Sequence, residues 1–265
     1  MEGTRKAILV VSFGTSYEET RKKTIDRIEA EIQEQFSECA VYRAWTSGMI
    51  RRKLQERDGI RIMNVREAFE QMQADGISEV IVQPTHVING IENDRMTQDV
   101  EAFRGSFDRI AIGAALLTSA EDCRRVIEAV VKELHPAGDE ALVFMGHGTE
   151  HYANAVYAAL DYQFKDMEHS NIFMGTVEGY PTLESVMKLV ERSGLKKVVL
   201  APFMIVAGDH ATNDLSGDEE DSWKSVFEQA GYEVRCVLKG LGEYGEIREI
   251  ILDHVRAAME QQKSA

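Results

Sequence analysis

The stretch Ala141-Leu-Val-Phe-Met-Gly-His-Gly-Thr149 decides how this chain is read. An unbroken apolar run leads into Gly146, and His147 stands between two glycines. Apolar residues without alternation suit a parallel strand buried on both faces. The glycines end that strand and leave bare backbone around one imidazole, and a helix is expected from about His151. A side chain on the loop after a parallel strand lies at the carboxyl edge of the sheet, where open α/β folds bind ligands. An imidazole there is a candidate ligand or base near neutral pH. The competing reading is a histidine that only caps the next helix.

Working outward, strand and helix signals alternate along the whole chain. Strands are expected at Ala7–Phe13, Ala40–Trp45, Glu79–Gln83 (stopped by Pro84) and Arg109–Ala115, then at Ala141–Met145, Asn171–Thr176, Lys197–Ala201 (stopped by Pro202) and Glu233–Leu238. Between them lie helical patterns: one long charged helix from Tyr17 to about Phe36, then Gly48–Arg57, Val65–Ala74, a helix ending near Phe103, Ala120–Leu134, one begun by Pro181, and a last one from about Gly245 to Gln261. Alternation of this kind implies α/β architecture with parallel sheets covered on both faces and right-handed crossovers. The turn-like His135-Pro-Ala-Gly-Asp139 is the best boundary, giving an N-terminal half, 1–136, and a C-terminal half, 137–265.

Composition narrows the function. The 265 residues are 44% hydrophobic and 28% charged, as in soluble globular proteins. The net charge of −15 repels nucleic acid and anionic membrane, so neither is an expected partner. The apolar run Ala7–Phe13 is far shorter than the roughly 20 residues a span requires, and no cleavage pattern follows it. A cytoplasmic protein is therefore expected. Cys39, Cys123 and Cys236 are widely spaced, which argues against a disulfide framework, an iron–sulfur cluster or a structural zinc site and for buried packing.

The halves read as copies of one unit. Val10-Val-Ser-Phe-Gly-Thr15 matches Phe144-Met-Gly-His-Gly-Thr149, so that Phe13 falls on His147. Thr46-Ser-Gly48 matches Val177-Glu-Gly179. The segment Val80 to Glu92 matches Val198 to His210: Pro84 falls on Pro202, Gly90 on Gly208, Glu92 on His210 and His86 on Met204. Such a duplication is expected to set equivalent loops across a shared cleft, with Glu92 facing His210 and with His147 and Glu178 pointing inward. Two imidazoles with one or two carboxylates can hold a divalent metal loosely and can accept protons from a bound molecule. Mixed nitrogen and oxygen donors suit cobalt, nickel, iron or zinc. With no thiolate and no third matching histidine, the pattern favours an open site over a structural one.

The set of motifs Ser12-Phe-Gly-Thr-Ser16, Gln83-Pro-Thr-His-Val-Ile-Asn-Gly-Ile-Glu-Asn-Asp94, Met145-Gly-His-Gly-Thr149, Gly175-Thr-Val-Glu-Gly-Tyr-Pro181 and Val206-Ala-Gly-Asp-His-Ala-Thr-Asn-Asp214 resembles the anaerobic-pathway sirohydrochlorin cobaltochelatases, members of the class II tetrapyrrole chelatases. The resemblance covers nearly the whole chain in order. It implies two flavodoxin-like halves, each a four-stranded parallel sheet flanked by helices, around an active-site cleft. It implies ATP-independent insertion of Co2+ into sirohydrochlorin during cobalamin biosynthesis, with no permanent cofactor. His147 and His210 match the family's metal-binding histidines, and Glu178 and Glu92 its active-site carboxylates. The expected ligands are thus His147, Glu178 and His210, with His147, Glu92 and His210 as catalytic residues and Glu92 as proton acceptor or further ligand. Fe2+, Ni2+ and Zn2+ are also compatible with these donors. Insertion of Fe2+ or Ni2+ into the same ring, or a tetrapyrrole- or metal-binding protein without chemistry, are the alternatives. A homo-oligomer is compatible with the reading.

Sirohydrochlorin carries many carboxylates, so an acidic protein needs local cations. Arg43, Arg51, Arg52 and Arg95, with the backbone amides of Ser12 to Ser16, are candidates, against the plainer view of Arg51-Arg52-Lys53 as a solvated helix face. His86 is expected to pack or hydrogen-bond in its loop, and His151 is a minor candidate beside His147. His135, His169 and His254 are expected at the surface, and Asp218-Glu-Glu-Asp221 is expected to start a helix.

Overall fold

The alternation of strand and helix produces two sheets of the same topology. The computed structural model describes residues 5–264, with side chains to residue 261. Strands β1 (Lys6–Ser12), β2 (Ala40–Trp45), β3 (Glu79–Pro84) and β4 (Arg109–Ile112) form one parallel sheet in the order β2-β1-β3-β4. Strands β5 (Glu140–Gly146), β6 (Ile172–Thr176), β7 (Lys197–Phe203) and β8 (Glu233–Cys236) form a second in the order β6-β5-β7-β8. Every described neighbour pair is parallel, so each connection must cross over, and a helix supplies each crossover.

The apolar runs are buried on both faces. Ala7 to Val11 and Ala141 to Met145 are wholly inaccessible. In the first sheet Ala7, Leu9 and Val11 pack with Val65, Phe69 and Met72 of α4 (Val65–Ala74) and with Met96 and Val100 of α5 (Ile91–Glu101). In the second, Ala141, Val143 and Met145 pack with Val186 and Val190 of α8 (Leu183–Ser193) and with Trp223 and Phe227 of α9 (Trp223–Gln229). On the other face Phe144 stacks on Phe164 of α7 (Ala155–Asp166).

Strand pairing supports the repeat read from sequence. Val11 is paired with Pro84 and Met145 with Pro202, while Ser12 is paired with Trp45 and Gly146 with Thr176. Phe13 and His147 therefore occupy the same position after the central strand, and Ser47 the position of Glu178. The backbone repeats the match: Ser47 N donates to Phe13 O (3.2 Å), and Glu178 N donates to His147 O (2.8 Å). Asp94 N donates to Gly90 O, and Thr212 N donates to Gly208 O, both at 3.0 Å, which sets Glu92 on His210.

The chain divides into two compact units, one of residues up to Thr118 and from Ile247 on, the other Ser119–Glu246. This partition differs from halves cut at 1–136 and 137–265. Helix α6 (Ala120–Leu134) goes with the second unit, where it packs beside α7. All but the start of the last helix goes with the first. There the ring of His254 donates from Nδ1 to Ala114 O (3.1 Å), and Arg248 pairs with Glu31.

Four local expectations are corrected. The helix expected from Tyr17 to Phe36 is two, α1 (Glu18–Lys23) and α2 (Ile25–Gln35). Thr24 breaks it, because its hydroxyl donates to Thr20 O (2.6 Å) and competes with the helical ladder. Pairing continues through Pro84 and Pro202 instead of stopping before them. The acidic run 218–221 lies in a turn, and α9 starts at Trp223 with Ser222 as its cap. His254 is buried, since it shares the inner face of α10 (Gly245–Ser264) with Ile247, Ile250, Ile251 and Val255. No described helix is long and apolar enough to cross a membrane.

Candidate metal centre

Three strands of the second sheet deliver one side chain each from their carboxyl ends. His147 follows β5, Glu178 follows β6 and His210 lies on the loop after β7. Their potential ligand atoms all lie within 4.8 Å of one another. The imidazoles of His147 and His210 meet edge to face, with ring centroids 4.8 Å apart, and His147 Nδ1 lies 3.7 Å from Glu178 Oε2. Two donors each about 2.1 Å from one ion are at most about 4.2 Å apart, so the widest pair needs to close by only about half an ångström. The side chains of His147, Glu178 and His210 are 39%, 56% and 30% exposed. Three half-open potential donors would leave coordination positions for water or an incoming donor, as an exchanging site requires.

The loops are held by backbone and by one asparagine. Gly148 has φ +82°, and a Cβ there would lie 2.6 Å from Gly179 N. Only glycine lets the two loops approach this closely. Asn154 ties them together: its Oδ1 accepts from Thr149 N (3.0 Å), and its Nδ2 donates to Tyr180 O (2.6 Å). Beneath, burial pushes the Tyr157 phenol up to about 12, so it stays neutral.

Hydrogen bonding sets the tautomers. A carbonyl oxygen only accepts, so His147 Nδ1 donates to Gly148 O (2.8 Å), and the lone pair of the neutral ring resides on Nε2. His210 Nδ1 likewise meets Asp214 Oδ2 at 2.7 Å. A carboxylate behind a histidine fixes the ring and raises its basicity as a ligand. Asp214→Ala is expected to weaken Co2+ binding ten- to a hundredfold, with Asp214→Asn, which retains an acceptor oxygen, losing less. Titration followed by the visible absorption of Co2+ measures this, and unchanged affinity in the alanine variant would refute the orienting role.

His151 Nδ1 accepts from Ala153 N (3.2 Å) as a helix cap, which leaves the proton of the neutral ring on Nε2 and makes it a poor ligand. Glu92 belongs to the first unit, in the first turn of α5, paired with Arg95 (2.9 Å). His86, also in that unit, is buried, and burial pushes its imidazole well below the usual histidine range, with the Glu92 charge opposing. Arg43 is held by Asp26 and Glu29, and Arg51 by Glu67 and by Ile62 O. Cys39 and Cys123 are buried and Cys236 half-buried, and burial raises all three thiols, as expected for packing residues.

Known proteins share this sequence and fold. A family model described as Cobalt chelatase (CbiK) matches residues 6–260. The Sirohydrochlorin cobaltochelatase of Salmonella typhimurium (strain LT2) is 39% identical over 256 residues, 96% of this chain and 97% of that protein. The Sirohydrochlorin cobaltochelatase CbiKC of Nitratidesulfovibrio vulgaris (strain Hildenborough) is 35% identical over 261 residues, 97% and 91% of the two chains. Among solved structures, the sirohydrochlorin chelatase SirB from Bacillus subtilis subspecies spizizenii, in complex with cobalt, shares the fold with a TM-score of 0.66 at 12% identity, covering 98% of each chain. With matching sequence over nearly its full length and the same doubled parallel-sheet fold, this chain belongs to the Cobalt chelatase (CbiK) family.

Proposed function

We propose that this protein inserts Co2+ into sirohydrochlorin as an ATP-independent metal chelatase of the lyase class, acting in the cytoplasm without a permanent cofactor. Both the metal and the tetrapyrrole are substrates. The observation that carries this reading is the convergence of His147, Glu178 and His210, whose open geometry suits an ion that must leave. Metallation needs a dication delivered to the ring and removal of two pyrrolic protons. His147, Glu178 and His210 hold the ion through nitrogen and oxygen donors, which bind first-row dications without the permanence of thiolates. Glu92 is assigned as proton acceptor, because a carboxylate can take up a proton as a general base. His210, set by Asp214, is available to accept a proton once the ion has moved to the ring.

The test is turnover: purified protein, sirohydrochlorin and Co2+, with the change in ring absorbance followed at substoichiometric enzyme. Multiple turnovers are expected, and stoichiometric binding alone would instead favour a carrier. Parallel runs with Fe2+ and Ni2+ rank the metals. Glu92→Gln separates the roles. It is expected to lower kcat by about 10²–10⁴, the range for loss of a general base, while Co2+ affinity stays at the wild-type value. A matching loss of Co2+ affinity would make Glu92 a ligand instead.

A further inference from the structure

A protein of net charge −15 that takes up a polycarboxylate ring must offset its own field locally. Three of the four arginines that the sequence offers are committed: Arg43 to Asp26 and Glu29, Arg51 to Glu67, and Arg95 to Glu92. The outer face of α3 (Gly48–Asp58) is different. Arg52 and Lys53 are exposed and have no hydrogen bond or ion pair among the described residues. With Met49, Glu56 and Arg57, all on the same face of α3, they border a shallow open hollow at the surface. Met49, in the first turn, is 75% exposed.

The position of this hollow is informative. Helix α3 begins one residue after Ser47, the counterpart of Glu178 by strand register, so its first turn stands at the carboxyl edge of the first sheet, the ligand-binding edge of α/β folds. Arg57 Nη2 donates to Ser16 O (2.8 Å), which ties one wall of the hollow to the loop that follows β1. A mere solvated helix face requires no such tie to the loop at the sheet edge.

We propose that this hollow is a subsite for the peripheral carboxylates of the tetrapyrrole, an inference that rests on the chelatase reading. Arg52 offers a planar fork for one carboxylate and Lys53 a mobile ammonium for a second. Met49, polarizable and adaptable, lies against the apolar rim of the ring. Among the lining residues, Glu56 alone is acidic.

Steady-state metallation of sirohydrochlorin by the full chain tests the subsite. The double variant R52S/K53S is expected to raise KM for sirohydrochlorin ten- to a hundredfold, the loss expected for charge-assisted hydrogen bonds, with kcat at saturation and Co2+ affinity unchanged. R52K/K53R, which retains both charges, is expected to restore KM to within a few-fold. K23S/R192S removes two exposed cations from α1 and α8 and is expected to leave KM unaltered, which separates a local grip from the overall field. A wild-type KM in R52S/K53S, or an equal rise in K23S/R192S, overturns the subsite while leaving the chelatase reading intact. A wild-type protein that does not metallate sirohydrochlorin overturns both.

Discussion

Replacing His147 with alanine is expected to lower cobalt insertion by more than about a hundredfold, beyond the ten- to hundredfold loss typical of removing a partner behind a ligand. The reason is geometric. His147 lies close to both other members of the triad, its Nδ1 3.7 Å from Glu178 Oε2 and its ring centroid 4.8 Å from that of His210. Without it, only two of the proposed ligands remain, on separate loops, and two donors are expected to lose a dication to water. The fold should tolerate the change. The imidazole is 39% exposed, and its Nδ1–H donates to the carbonyl of Gly148, the next residue in its own loop. Loss of one such bond costs about 0.5–1.5 kcal/mol, too little to unfold the chain. Turnover followed by absorbance, with a thermal melt beside it, measures both. Full activity in His147→Ala would remove this residue from the ligand set.

The second large effect is on stability. Gly148→Ala is expected to destabilise the protein by about 2–5 kcal/mol, adding a left-handed cost of about 1–2 kcal/mol to about 1–3 kcal/mol of crowding. Gly148 has φ +82°, and its added Cβ would meet Gly179 N at 2.6 Å, Thr176 Cβ at 2.8 Å and Glu178 C at 3.0 Å. Two of these are backbone atoms of the segment that carries Glu178, and they cannot rotate away as a flexible side chain could. The relaxation that relieves the clash must therefore move the Glu178 loop away from the His147 loop. Co2+ affinity should fall together with the urea midpoint, which drops by about 1–2 M at slopes of about 2–3 kcal/mol per molar. A midpoint near that of the wild type, with unchanged affinity, would show that the two loops are not locked as described.

The strands were readable because buried parallel strands are local, continuous apolar runs, and the helix that follows each is read from its own periodicity. The repeat was readable at the level of single residues: the match of Phe13 to His147, Ser47 to Glu178 and Glu92 to His210 agrees with the strand pairings and loop hydrogen bonds. What escaped were contacts that depend on chain segments meeting from elsewhere. Arg43 reads as a carboxylate binder from sequence alone, but Asp26 and Glu29, on another element, hold it. Asn154 carries no pattern that marks it as the bridge between two loops. Asp214 could have been found, because it stands four residues after His210, a spacing that stacks side chains on one helical face. The inner-face spacing of Ile247, Ile250, Ile251 and Val255 likewise contained the burial of His254.

The doubled topology has an evolutionary consequence. Once both copies sit in a single reading frame, a substitution at one sheet edge no longer forces the same substitution at the other. A symmetric pair of separate subunits lacks that freedom, since one gene writes both. Here Phe13, Ser47 and Glu92 stand where His147, Glu178 and His210 stand in the sister copy. Among the described residues, only the second copy brings two imidazoles and a carboxylate together at its edge, so the two edges are free to take different roles.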